Sequence, residues 1–223
     1  MAQFDFAALP PDRRYNLIIG LVAPRPVALV TSLDASGRIN AAPYSAFNYA
    51  CVDPVLVTLG VANRPGAHDP QSGLPVAKDT AQNIRVRGEF VINVVSEEIA
   101  EAMNVCAIDF PPGVDELKEA RLTTAASTRV QVPRIAEAPA SLECREVTTV
   151  EVGRSRIVIG EVLCVHVRDE FVDPAGPYIK AEELGAIGRM NGAGNYVRTR
   201  GAFFKMGRIP LADWQQRKMD EGK

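Results

Sequence analysis

The sequence predicts an all-β domain, an antiparallel barrel carrying peripheral helices. Three observations predict it. Six β-rich runs are set off by turn signals, the helical stretches between them are short, and the chain lacks the regular strand-helix-strand alternation of a parallel sheet. The runs are Val27 to Leu33, Ile39 to Ser45, Val55 to Val61, Glu89 to Val95, Leu142 to Val152 and Ser155 to Val167. Antiparallel runs of this number close, or nearly close, into a barrel that leaves few free edges.

Taken in order, residues 1–24 form a lead-in that packs on the barrel. It holds a short helix from Pro11 to Gly20, with Pro11 fixing the first turn and Gly20 placed to end it. The first strand ends in Thr31, Ser32 and Leu33, Asp34-Ala35-Ser36-Gly37 turns the chain back, and the return strand leads into a loop of small, hydroxyl, amide and aromatic residues. That combination suits a phosphate and a flat ring. A Gly/Pro-rich loop from Arg64 to Val76 carries His68 and Asp69. Asp79 is placed to cap a helix from Thr80 to Val86 with Gln82 three residues on, and Ser96 to cap Glu97 to Val105, whose acidic start suits the helix dipole. A break from Phe110 to Gly113 precedes a short charged helix, Val114 to Ala120. The stretch Val132 to Pro139 resembles a linker, but the strands on both sides are needed for one sheet. The expectation is therefore one domain over residues 25–210, followed by a polar tail over 211–223.

Composition narrows the function. The 223 residues are 47% hydrophobic and 23% charged, near globular averages, with a net charge of −2. Lys and Arg are scattered, which argues against nucleic acid as a partner. No apolar run approaches the ~18 residues of a membrane span, and the start lacks the pattern of a signal peptide, so the expected location is the cytoplasm. The four cysteines are far apart and form no CxxC motif; they read as reduced thiols, with Cys144 and Cys164 structural. The two histidines, His68 and His166, are separated by nearly half the chain, so no zinc site or catalytic triad is expected.

A phosphate site needs converging donors and at least one cation, and Thr31, Ser45, Arg64, Lys78 and Thr80 are the candidates. Thr80 falls in the first turn of a helix, where free N–H groups and the dipole favour an anion. Asp79 beside it opposes an anion unless it turns inward to cap. The same residues also suit a capped surface helix with an exposed lysine. For a flat ring, Thr31, Ser32 and Leu33 offer a strand end, and Ala46, Phe47 and Asn48 a loop; Phe47 reads equally as core, whereas a buried Asn48 needs its hydrogen bonds met.

The series Pro24-Arg25-Pro26, the apolar run to Thr31-Ser32, Gly37, Asn40-Ala41-Ala42-Pro43-Tyr44-Ser45-Ala46-Phe47-Asn48 and Asp53-Pro54 resembles the flavin reductase-like family of FMN-binding split-barrel proteins. Further segments match in order: Lys78 to Ile84, Gly88 to Asn93, Ala107 to Phe110, Leu142-Glu143-Cys144 and Ile159 to Val162. The resemblance implies a split β-barrel of antiparallel Greek-key strands, a homodimer whose interface borders two FMN sites, NAD(P)H as electron donor, and no catalytic side chain beyond the flavin. It also implies a phosphate site at Ser45 and Lys78 to Thr80, and a ring lined by the strand of Thr31 to Leu33 and the loop of Ala46 to Asn48. The Gly-rich segment Gly185 to Tyr196 is similar to a family region that approaches the flavin, which adds Arg189 and Tyr196. Read from the residues alone, that segment is a flexible loop and no dinucleotide fold.

One departure matters. Short two-component flavin reductases often show a Gly-Asp-His turn before the strand matching Ile157 to Val162, and this chain has Gly153-Arg154-Ser155-Arg156. The expected activity is hydride transfer from NAD(P)H to flavin and onward to an acceptor or a flavin-dependent oxygenase. A flavin-binding electron carrier without a nicotinamide site is the alternative that the departure favours.

Overall fold

The computed structural model describes residues 1–111, 113–176, 178–192 and 194–221. Pro112 in the predicted break, Ala193 in the Gly-rich segment, and Gly222 and Lys223 in the tail lie outside the described residues, as does Pro177. In chain order the elements are α1 (Pro11–Leu21), β1 (Arg25–Pro26), β2 (Ala28–Leu33), β3 (Ile39–Tyr44), β4 (Phe47–Val52), β5 (Val55–His68), β6 (Pro75–Ala77), α2 (Asp79–Arg87) and β7 (Glu89–Val94). There follow α3 (Ala100–Val105), α4 (Glu116–Glu119), β8 (Thr124–Ala125), β9 (Arg134–Ile135), β10 (Ala140–Val152), β11 (Ser155–Val167), β12 (Ile187–Arg189), β13 (Tyr196–Arg198) and α5 (Leu211–Glu221).

The main sheet runs in the order β3-β2-β7-β10-β11-β5-β4, with β6 on β5. Every pairing in it is antiparallel. Consecutive strands β3 and β4 thus occupy opposite edges, and Ser45 and Ala46 carry the chain across the gap. The sheet curls round without closing, which is a split barrel. At the crossing, Gly60 donates its N–H to the Ala46 carbonyl at 2.7 Å, and a Cβ on Gly60 would stand 2.8 Å from the Ala46 Cβ. Only glycine permits that approach.

The β2–β3 hairpin follows its sequence closely. Asp34 Oδ1 accepts from the Ser36 amide, the Ser36 hydroxyl and the Arg38 amide at 2.7 to 2.9 Å, and Gly37 takes φ +86°. The Ser36 hydroxyl and then the Arg38 amide hold the Asp34 carboxyl well below the usual carboxylate range. Inside the barrel, Val30, Leu59, Val61, Ile84, Phe90, Ile92 and Cys144 form one buried cluster. Phe90 fills the space left by Gly160, where a Cβ would meet the ring at 2.5 Å. Buried Asn93 ties its own strand β7 to β2, β9 and β10: its Nδ2 donates to the Leu29 carbonyl at 3.0 Å, while its Oδ1 accepts from the Ile135 amide and the Ser141 hydroxyl, both at 2.9 Å. Buried Glu143 anchors the covering loop through the amides of Thr128, Arg129 and Val130. Burial pushes its carboxyl up, but the Thr128 and Arg129 amides and the His166 ring outweigh that and hold it below its ordinary value.

Several predicted elements differ in detail. The Arg64 to Val76 stretch is largely a hairpin, because β5 continues to His68 and β6 pairs back on it through Asn63 with Ala77 and His68 with Pro75. Asp79 does not cap α2. The cap position falls to Lys78, and Asp79 enters the first turn and pairs with Arg64 at 2.5 Å; a cation from the extended β5 competes successfully for the carboxylate. The helix closes on Gly88 at φ +69°. Ser96 makes no capping bond, and the segment it was expected to start splits into a 3-10 turn, Glu97–Ile99, and α3. Asp115 caps the short α4 through the Leu117 and Lys118 amides. The Gly-rich segment is a β-hairpin rather than a plain loop: β12 and β13 pair with each other, and β12 pairs with β1. The tail contains a helix, α5, and Phe204, Met206, Leu211 and Trp214 on and before it are exposed. Among the described residues no helix is long and apolar enough to cross a membrane.

Candidate functional site

A cavity of about 580 Å³ opens where the β3 end of the barrel, the start of α2, the β12–β13 hairpin and the segment from α3 to α4 meet. Its wall begins with period-two geometry: Asn40, Ala42 and Tyr44 alternate along β3 and share the face turned to the cavity. Ser45 follows at the crossing, and Arg64 arrives from β5. Lys78, Asp79 and Thr80 bring the N-terminal turn of α2, whose first amides have no acceptor within the helix. Ile108, Asp109, Phe110 and Glu116 close the opposite side.

Three of the four cations in the wall are engaged by protein groups. Arg25 Nη1 donates to the Ile19 and Val22 carbonyls at 2.6 and 2.7 Å, which ties the lead-in to the sheet, and its Nε reaches the Ser45 hydroxyl at 3.4 Å. Arg64 pairs with Asp79. Arg189 lies over the Tyr196 ring at 4.7 Å and bonds to its hydroxyl. Lys78 alone among these four cations has neither a hydrogen bond nor an ion pair to any described residue.

Several polar groups share the wall with Lys78. Thr80 Oγ1 accepts from Asn40 Nδ2 at 3.0 Å. The buried Tyr44 hydroxyl has no partner at bonding geometry among the described residues, although Thr80 is near enough to offset part of its shift. Burial pushes the Tyr44 phenol up to about 12, so it stays a neutral donor. Burial also raises the Glu116 carboxyl above its ordinary range, against the pull of its bond from the Ala41 amide at 3.1 Å. The Cys106 thiol, pushed up to about 12 by burial and by Glu116, is no nucleophile at neutral pH.

Of the residues the sequence singled out, Ser45, Arg64, Lys78, Asp79, Thr80, Arg189 and Tyr196 come together on this cavity. The other six stand elsewhere. Thr31 and Ser32 are fully buried in β2, where Thr31 Oγ1 donates to the Pro133 carbonyl at 2.7 Å and Ser32 Oγ accepts from Asn83 Nδ2 at 3.1 Å. Leu33 packs beside Val91, Val130 and Val132, and Phe47 packs against the barrel core. Ala46 occupies the crossing. Asn48 is exposed rather than buried, and its Oδ1 accepts from the Tyr49 amide at 2.9 Å. Arg25, Asn40, Tyr44 and Glu116 were missed as wall residues. The β3 alternation carried a readable signal for Asn40 and Tyr44; Glu116 carried none, because α4 reaches β3 only through the tertiary fold.

A split barrel with a cation-lined cavity beside a helix N-terminus defines a class, and comparison with known proteins gives its family. A model of the flavin reductase-like domain matches residues 21–182, and the chain belongs to that family. An uncharacterised protein of Deinococcus radiodurans is 42% identical over 218 residues, covering 96% of this chain and 92% of its own. The structure of 2-nitrobenzoate 2-nitroreductase from Pseudomonas fluorescens superposes with a TM-score of 0.81 at 35% identity, covering 94% of this chain and 97% of that one. Nitrilotriacetate monooxygenase component B from Bacillus cereus gives a TM-score of 0.82 at 30% identity, with 94% and 98% covered.

The cavity suits a flavin, the class of cofactor that this family implies. Its volume falls within the roughly 300–1,000 Å³ typical of cofactor sites. Lys78, the Ser45 hydroxyl and the first amides of α2 form a donor set of the kind a phosphate dianion requires. The unpartnered Tyr44 hydroxyl offers one further donor, and Tyr196, Ile108 and Phe110 add apolar surface for a flat ring.

Proposed function

We propose that this chain binds FMN in the cavity at the head of α2 and acts as an NAD(P)H-dependent flavin oxidoreductase, handing electrons to free flavin, a partner oxygenase or another acceptor. The observation that carries the reading is Lys78: a cation at a helix N-terminus, facing a cavity, with no protein anion paired to it among the described residues. When bound, the flavin supplies the hydride and electron chemistry, and the protein's work is placement. Lys78, Ser45 and the α2 amides hold the phosphate. Arg64 keeps Asp79 paired, so its carboxylate repels the phosphate less. Tyr44, Tyr196 and Phe110 offer ring faces beside which a second flat ring can stack, and no side-chain acid or base is required.

The oxygenase as partner draws on the likeness to a monooxygenase component B. A homodimer is part of the proposal. It is supported by the exposed Tyr49 and Val52 on β4, by Val147, Val150 and Val152 on β10, and by Phe203, Phe204 and Met206 before α5, which this chain leaves uncovered.

A specific observation favours the second reading, an FMN-binding electron carrier without a nicotinamide site. At the β10–β11 turn, Arg156 pairs with Glu151 at 3.2 Å and bonds to Asn63, and neither Arg154 nor Arg156 lines the cavity. Arg156, one of the residues standing in place of that histidine turn, is therefore engaged in holding strands together.

The test is to load the protein with FMN, remove oxygen and excess flavin, and follow the visible flavin band on adding NADH or NADPH. Rapid bleaching is expected of the reductase. Bound flavin that stays oxidised refutes that activity and leaves the carrier, and failure to bind FMN refutes both.

A further inference from the structure

Away from the cavity, one face of the barrel gathers three side chains with metal-binding chemistry. The register of β10 and β11 sets Glu143 opposite Cys164 and Ser141 opposite His166. Directly paired residues of antiparallel strands share a face, and so do Cys164 and His166, two apart on β11. Their donor atoms all lie within 4.8 Å of one another. His166 Nε2 stands 2.5 Å from Glu143 Oε1 and 3.7 Å from Cys164 Sγ. None of the three lines the cavity described above.

We propose that Glu143, Cys164 and His166 form a three-residue site for a borderline divalent cation of the zinc type, with water or an external donor in the fourth position. The donor set selects the metal: thiolate with imidazole suits zinc and its neighbours and disfavours magnesium and calcium, which take oxygen ligands. The spacing agrees. Tetrahedral zinc with its usual bond lengths separates sulfur and nitrogen ligands by about 3.6 Å, and oxygen and nitrogen ligands by about 3.4 Å. The sulfur–nitrogen pair already has that separation, and the oxygen–nitrogen pair has to open by roughly 1 Å, a small swing of a half-buried imidazole.

The carboxylate is held as a metal ligand needs to be held. Thr128 N donates to Oε1 at 2.7 Å, and Arg129 N and Val130 N donate to Oε2 at 2.5 and 3.2 Å. Oε1 therefore keeps its position when the ring N–H that it accepts is replaced by a cation, and outer contacts of this kind commonly orient metal ligands. Access is open on one side, since the His166 side chain is 25% exposed while Glu143 is fully buried. The imidazole gives up its Nε2 proton to Nδ1, and the thiol proton leaves to solvent as the metal binds.

The test is Co²⁺ titration of the full-length protein with its flavin. Tetrahedral cobalt with a thiolate ligand shows d–d bands to the red of flavin absorption. One equivalent of Co²⁺ should develop these bands, and one equivalent of Zn²⁺ should abolish them. Cys164→Ser and His166→Gln, each checked for native circular dichroism, should weaken binding by at least ~10-fold. Absence of the bands in the parent protein overturns the site. So does a Cys164→Ser variant that folds and binds with unchanged spectrum and affinity; if His166→Gln fails to fold, Cys164→Ser decides alone.

Discussion

Replacing Lys78 by alanine isolates the phosphate interaction, because this ammonium has no described protein partner whose loss would confuse the result. A charge-assisted hydrogen bond contributes roughly 1.5–3 kcal/mol. The bare attraction of unit charges ~4 Å apart near a protein surface is about 4 kcal/mol, and the half-exposed position of Lys78 discounts that into the same range. Converted to affinity, Lys78→Ala should weaken FMN binding by roughly 10- to 150-fold. Flavin fluorescence titration at fixed ionic strength measures this directly. Riboflavin, which has the ring and ribityl chain without the phosphate, is the control, and its affinity should not change. Two results refute the reasoning: FMN affinity unaltered in Lys78→Ala, or FMN and riboflavin weakened equally. Asp79→Asn probes the same field from the other side. It removes one carboxylate from the cavity wall and frees Arg64, so FMN binding should tighten, whereas weaker binding would mean that the Arg64–Asp79 pair orders the site.

Glu116 predicts the pH dependence. Its carboxyl is raised by burial, so it is neutral in a window where an ordinary carboxyl is charged, and the neutral form repels a phosphate less. FMN affinity should rise as pH falls through that window, and Glu116→Gln should remove this component, leaving only the phosphate's own titration. The flavin-free chain binds more protons at Glu116 when folded than when unfolded, so this group's stabilising contribution is lost as pH rises through the same window; denaturant midpoints compared across pH for the parent and Glu116→Gln check the sign. Gly160→Ala places a methyl 2.5 Å from the Phe90 ring and should cost about 1–3 kcal/mol by urea unfolding, while a neutral result would show that the ring moves freely. Ending the chain after Gly201 removes Phe203, Phe204, Met206 and α5. Sedimentation should then show weaker self-association, and an unchanged dimer would assign the interface to the strands alone.

The barrel was legible because alternation and turn chemistry act locally. The Asp34 turn works through atoms within four residues, and the six runs recur as strands β2, β3, β5, β7, β10 and β11. The errors came where a distant group competed with a local one. Asp79 looks like a cap to its neighbours, yet the continuation of β5 beyond Val61 brings Arg64 to it, and the ion pair prevails. The cavity divides in the same way. Lys78, Thr80 and Ser45 sit in segments whose chemistry is readable alone, whereas Glu116 and Arg25 reach the wall through α4 and β1. Thr31 and Ser32 show the converse, since hydroxyls at a strand end resemble ligand donors until Pro133 and Asn83 are seen to take them. The Glu143–Cys164–His166 cluster is the furthest from sequence. The scarcity of histidine argued against a metal, and the shift of register between Glu143 and Cys144 decides which residue of β11 faces the carboxylate. A register slip of one residue would send Cys164 to the other face, so the cluster exists only as a consequence of the completed sheet.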